Sequence, residues 1–312
     1  MAQTDTNSLS TVVEAYNLTA DNALRPMLHF DQVATVKPSN QAHRGESVTF
    51  TIYDDLEPAT DPLTEGSDVD AVEMSDTQVS VTLEEYGNAT TTTAKLRGTG
   101  FLAYDQEAAE LIGWNAGLSV DRLARAELAG GSNVRYSGSA GSRGAITDSD
   151  VLKSADSKYV AAKLRGAYVP GWNGMAYVGF IHPDVSYDYR EDAGANNWDD
   201  AAIRNEGGQR VWNGLIGRHN GVDWIETGEA PILTDEGDTT TDVYQTIIVG
   251  RRCLAKAYSR NESAERPRVV PGPVTDKLRR FRHVGWYWLG GYKRYREAAI
   301  YRVESASSIG DN

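Results

Sequence analysis

The sequence predicts a mixed α+β fold, and three observations carry that prediction. Short runs alternate apolar and polar residues with period two, one long stretch repeats its apolar residues at helical spacing, and the C-terminal tail is aromatic and extended in pattern. No internal repeat appears in the 312 residues. That length allows one large or two modest domains. Hydrophobic residues make up 40% of the chain, enough for a true core and too many for a disordered protein.

Residues 1–30 are polar and small, and they suggest an arm that must lie on another surface. Ser47–Tyr53 alternates apolar and polar, as a half-buried strand does, and residues 79–84 repeat the pattern. Between the two stand acids together with Pro58, Pro62 and Gly66. A connection of that length without its own helix is uncommon in a compact domain. The simplest picture is a two-stranded arm with an acidic tip, and an isolated hairpin needs a surface to rest on.

From residue 102 to 129, Ala108, Leu111, Ile112, Ala116, Leu123 and Leu128 fall on one broad helical face, and Gly130-Gly131 stops the helix. At 1.5 Å per residue it would run roughly 35–40 Å, although Gly113 and Gly117 inside it each cost ~1 kcal/mol relative to alanine. A Gly/Ser connector follows at 137–142. A second helix is expected to start at Asp148 or Ser149, with Leu152, Ala155, Tyr159 and Ala162 sharing one face. Residues 176–181 form a buried strand, after which Pro183 opens a short helix. A strand follows the Asn220-Gly221 turn, and residues 243–250 form another. Residues 284–303, with Trp286, Trp288 and several tyrosines, make one or two long strands.

Charge is unevenly distributed. The net charge of −13 argues against gripping nucleic acid by neutralising phosphates. No Lys or Arg stands between Glu46 and Ala94, whereas residues 251–302 hold fourteen cations and only four acids. One acidic and one basic region can attract a second copy head to tail, and two ordinary solvated faces would give the same pattern. No apolar run approaches the ~18–20 residues of a membrane-spanning helix, and Met1–Asp5 has no secretory signature. A soluble protein made in a cytoplasm is therefore expected. Cys253 stands alone and is expected to be a small buried apolar residue.

The search for chemistry finds no phosphate loop, dinucleotide fingerprint, zinc-protease helix or nucleophile elbow. Asp68 and Asp70 form D-x-D, but the rest of a calcium loop is missing. His29, His43, His182, His219 and His283 lack metal-site spacing. His182, at a strand end beside Asp184, is the most tempting general base, and a structural role is the stronger reading. Arg and Lys interleaved with tail aromatics could stack single-stranded nucleic acid, but core and subunit contacts fit them better. No catalytic, cofactor or metal site is called for, and no enzyme is expected.

The order of elements resembles the tailed-phage major capsid family with the Hong Kong 97-like fold, in particular the branch named after the phage N4 coat protein. The matching stretches are the arm at 12–30, Gly45-Glu46-Ser47-Val48-Thr49-Phe50, Leu63-Thr64-Glu65-Gly66, the long helix, Gly179-Phe180-Ile181-His182-Pro183, Gly214-Leu215-Ile216-Gly217 with Gly221-Val222, Ile225-Glu226-Thr227 and Val284-Gly285-Trp286. They cover residues 10–303, and their order and spacing give the match its specificity.

The resemblance implies an N-terminal arm at 1–44, an extended-loop hairpin at 45–94, a peripheral domain at 95–144 with 283–312 holding the long spine helix, and an axial domain at 145–282. It implies pentamers and hexamers of the chain itself, closed into an icosahedral shell in the bacterial host cytoplasm. That shell encloses double-stranded DNA without sequence-specific binding and touches no membrane. A portal protein, a separate scaffolding protein and, in some shells, a decoration protein are the further partners. Some relatives weld subunits through a loop lysine, which this loop lacks, so that chemistry is not expected. Some relatives carry a long cleaved scaffolding segment before the arm; this sequence shows none, so either a separate scaffolding protein or a segment already removed is expected, and Met1 favours the former.

The expected contact pairs loop acids with a neighbour's basic tail. On one side are Asp54, Asp55, Glu57, Asp61, Glu65, Asp68, Asp70, Glu73 and Asp76; on the other are Arg279, Arg280, Arg282, Lys293, Arg294 and Arg296. Two other readings compete: an encapsulin-like cellular compartment, which needs a cargo enzyme, and a soluble acidic hydrolase, which needs a deep polar pocket.

Overall fold

A computed structural model describes the chain except residues 1–28, 40–46, 54, 61, 63–65, 67, 69–70, 100–103, 173, 193–214, 261–262, 274–275 and 311–312. Two sheets organise it, with a long helix packed against the first.

The first sheet has five strands: β1 (Ala34–Ser39), β4 (Glu84–Thr93), β11 (Leu254–Ser259), β12 (Arg268–Pro271) and β13 (Phe281–Arg294). β13 is its spine. One edge pairs antiparallel with β11 and then β12, the other with β4 over ten residues, and β1 runs parallel to β11. Alternation sets its faces: Val284, Trp286 and Trp288 are buried, while Phe281, His283 and Leu289 are only half-buried. Trp286 Nε1 donates to Asn115 Oδ1 at 2.8 Å, which marks the inner face as the helix side.

After a short helix α1 (Ala94–Thr99) comes α2 (Tyr104–Ala129), the predicted long helix, 26 residues long. Ile112, Ala116, Val120, Ala124 and Leu128 form its buried seam. Leu111, expected on the inner face, is 66% exposed. The helix ends against cations from both sheets: Arg294 of β13 donates to the Glu127 carbonyl at 3.3 Å, and Arg302 of the last strand, β14 (Ile300–Ser305), donates to the Ala129 carbonyl. Last-turn carbonyls have no partner within their own helix, and their partial negative charge attracts guanidinium groups.

The second sheet orders β5 (Val134–Tyr136), β14 (Ile300–Ser305), β10 (Val243–Val249), β6 (Tyr177–Ile181), β8 (Val222–Glu226) and β7 (Leu215–His219), with β9 (Ile232–Leu233) added to β10. β10 is buried along its whole length, as expected of a central strand with cover on both faces. The predicted Asn220-Gly221 turn joins β7 to β8; both residues have positive φ, 53° and 79°, the geometry of a tight two-residue hairpin turn. Helix α3 (Ser154–Gly166) and helix α4 (Pro183–Glu191) complete this half.

Two sequence expectations change. Helix α3 starts at Ser154, not at Asp148 or Ser149, because Asp150 closes a turn onto the Thr147 N–H and Leu152 is buried before the helix begins. Its inner face is Ser157, Val160, Ala161 and Leu164, so Ala155, Tyr159 and Ala162 point outward. The aromatic tail is two strands that part: a 3-10 turn at Glu297–Ala299 sends β13 to one sheet and β14 to the other. β11 and β12 thus pair in the first sheet and β14 in the second.

Candidate assembly interface

The hairpin predicted from alternation is present as β2 (Ser47–Tyr53) and β3 (Asp76–Thr82), paired from Ser47↔Thr82 to Tyr53↔Asp76. Its base rests on its own subunit. Val48, Phe50, Val81 and Leu83 are buried with Ala255 and Ala257 of β11, and Leu289 and Tyr295 close the cluster. The Phe50 and Tyr295 rings stand 5.4 Å apart, and the Tyr295 hydroxyl donates to the Thr51 carbonyl at 3.2 Å. Lys37 Nζ donates to the Thr49 carbonyl at 2.8 Å. Gly291 is required where β3 crosses β13, because a Cβ there would collide with the Thr82 carbonyl.

Beyond Tyr53 the arm changes character. Asp55, Glu57, Asp68 and Glu73 are exposed, and so are Leu56 (54%), Val72 (70%) and Met74 (67%). Asp76 begins β3 and accepts from Gln78 Nε2 at 3.1 Å. Asp54, Asp61, Glu65 and Asp70 lie outside the described residues. Among the described residues, the outer arm therefore presents acids and large apolar side chains together at the surface.

Several of the expected basic partners are engaged within the subunit. Arg280 pairs with Asp276 at 3.0 Å, Arg282 with Asp105 at 2.6 Å, and Arg294 with Glu297 at 3.1 Å. The Leu278 N–H, joined by the Arg280 guanidinium and N–H, holds the Asp276 carboxyl below its usual range. Arg296 donates to the Ala167 carbonyl at 3.5 Å. Arg279 and Lys293 are exposed. The positive tail thus works largely inside the subunit, a use that depends on pairings too distant in sequence to read from composition.

Sequence reasoning missed two polar anchors. Asp121 of α2 is 1% exposed and accepts the backbone N–H groups of His29 (3.0 Å) and Phe30 (2.8 Å), where residues 1–28 join the body. Burial pushes its pKa up to about 7, against those hydrogen bonds and with help from nearby Asp31. Asp31 is held in turn by Lys256 Nζ at 2.7 Å and the Tyr292 hydroxyl at 2.6 Å. The second anchor is Glu304, fully buried, which meets Arg143 and Arg302 at 2.8 Å and Gln245 at 3.1 Å. Burial alone would raise its pKa, but the two arginines hold it below the ordinary value. An acid in a helical or strand pattern gives no local sign of such partners.

The residues tested for chemistry have structural roles. His182 caps α4, its Nδ1 accepting the Asp184 N–H at 3.3 Å, and burial lowers its pKa. The Cys253 thiol is fully buried and its pKa is pushed up to about 12. Trp286, Trp288 and Tyr292 lie in the core. Among the described residues, no three His, Cys, Asp or Glu side chains group as a metal site.

Two sheets bridged by a long helix, with an acidic apolar arm uncovered beyond its base, are the build of a shell subunit. The chain belongs to the phage capsid protein family, whose profile matches residues 3–309. It is a structural protein of the virion, a major capsid protein and not an enzyme. None of the curated proteins matches it. Among solved structures it is similar to the capsid of Ralstonia phage GP4, with 13% identity, TM-score 0.72, and 90% of this chain covering 92% of that one. It is also similar to the capsid of cyanophage Pam1 (12%, 0.66, 92% of each) and that of Helicobacter pylori bacteriophage KHP30 (11%, 0.66, 90% and 91%). The fold is the Hong Kong 97 type.

Proposed function

We propose that this chain forms the icosahedral head of a tailed phage by laying its outer arm on a neighbouring copy. The observation that carries the reading is the arm itself: fixed at its base, yet exposing Leu56, Val72 and Met74 among acids. Large apolar side chains grouped on an exposed extension mark a contact surface. The first sheet with α2 serves as the peripheral domain, and the second sheet as the axial domain around the five- and six-fold axes. Copies of the chain form pentamers and hexamers around double-stranded DNA, with a portal and a separate scaffolding protein as partners and a decoration protein as a further one. The ordered short motifs, from Gly45-Glu46 to Val284-Gly285-Trp286, support a place in the branch of the phage N4 coat protein.

Electron microscopy of the purified protein, expressed alone and with neighbouring phage genes, tests this. Closed shells, or rings of five and six, are expected. A compact monomer under both conditions would overturn the reading.

A further inference from the structure

Three chain segments that carry five cations meet where the two sheets join. Lys163 and Arg165 are exposed on the last turn of α3. The chain then passes through Tyr168, which has a left-handed φ of 53° and is 90% exposed. Arg251 and Arg252 are exposed at the turn between β10 and β11, and the Arg251 N–H donates to the Pro170 carbonyl at 2.9 Å. Arg296, in the link from β13 to β14, reaches the Ala167 carbonyl of the same loop. These contacts bring three distant segments together around residues 165–170. Met175, 72% exposed, flanks them across a turn closed by the Trp172 N–H on the Ala176 carbonyl.

These cations differ from three others of the tail. Arg280, Arg282 and Arg294 have acids of their own subunit. Among the described residues, none of Lys163, Arg165, Arg251, Arg252 and Arg296 takes part in a salt bridge; Lys163 lies over the Tyr159 ring, and Arg165 faces the Tyr177 phenol. Like charges held together without counter-charge repel one another, and a non-glycine residue at positive φ adds strain. In a chain of net charge −13, such a patch fits an acidic partner.

We propose that this junction patch is the seat for the outer arm of a neighbouring copy. The proposal rests on the reading that the arm docks on a neighbour, and it names where. From residue 54 to 76 the arm carries nine acids and no cation. Its Leu56, Val72 and Met74 match Tyr168 and Met175 in kind, so both charge and apolar surface are complementary. Within one subunit the two surfaces do not cover each other, since all five apolar side chains remain exposed.

The test uses the full chain and complementary charge reversal. A patch variant carries Arg251→Glu, Arg252→Glu and Arg296→Glu; an arm variant carries Asp55→Lys, Glu57→Lys and Glu73→Lys. Shell yield is read by sedimentation, and subunit folding by circular dichroism. The patch variant should lose about tenfold or more in shell yield, and combining it with the arm variant should restore a large part. Should the glutamates disturb folding, glutamine at the same three positions should still lower the yield. Wild-type yield from the folded patch variant, or no recovery in the combination, overturns the proposal. If only the arm variant fails, arm docking stands and the seat lies elsewhere; if the arm variant assembles normally, the underlying reading fails too. Patch-variant shells that close normally but hold less DNA would assign the patch to the genome, and the proposal falls.

Discussion

The two ends of the β2–β3 hairpin follow different rules. At the base, Val48, Phe50, Val81 and Leu83 are buried against β11, and Tyr295 fixes the backbone at Thr51. Past Tyr53 the described side chains face solvent, apolar and acidic alike. A hairpin alone is marginal in water, so the base is what a single subunit can stabilise, while the rest awaits another surface. The base thereby belongs to folding and the outer arm to assembly, and substitutions in the two regions should separate those processes.

The largest effect is expected at the outer arm. Reversing Asp55, Glu57 and Glu73 to lysine should abolish most shell formation, measured by sedimentation, while the subunit melts as the wild type does. Each exposed pair contributes only ~0–1 kcal/mol, but many copies act together in a shell. At the base the effect should be on the subunit: Phe50→Ala should cost ~3–5 kcal/mol of folding stability in urea denaturation. Val72→Ala, an exposed counterpart, should stay within ~0.5 kcal/mol in the same measurement yet lower shell yield. Equal stability losses at the two positions would erase the distinction.

A smaller effect is expected at Asp121, where the arm-side backbone meets α2. Its pKa of about 7 in the folded chain lies above the ordinary 3.8, so the folded state binds its proton more tightly than the unfolded chain does. The resulting stability is fully present below about pH 4 and is lost as pH rises to about 7. Relative to the wild type, Asp121→Asn should therefore gain stability across that window and show a constant difference above it. A difference that does not vary with pH would contradict the assignment. The smallest effect concerns Cys253: native protein should react negligibly with a thiol reagent, and unfolding should release one equivalent.

Local pattern made much of this legible in the sequence. The strand at Ser47–Tyr53, the buried strand at Val243–Val249, the 26-residue helix and Pro183 at a helix start follow from period, β-branching and backbone constraint. What stayed hidden depends on partners far along the chain. Asp148 and Ser149 are sound helix caps by type, but Asp150 uses its carboxylate to close a turn first. The parting of β13 from β14 rests on pairing with β4 and β10, set by contacts roughly 50 to 200 residues away. The acidic arm was visible in composition, whereas the in-chain partners of Arg280, Arg282 and Arg294 were not.

The most direct test of the central claim is cryo-electron microscopy of assembled shells at side-chain resolution. Density for residues 54–75 lying across an adjacent subunit, with Leu56, Val72 and Met74 covered, is the result expected. Density for those residues folded back on their own subunit, or left uncovered in a closed shell, would contradict the division between a folding base and an assembling arm.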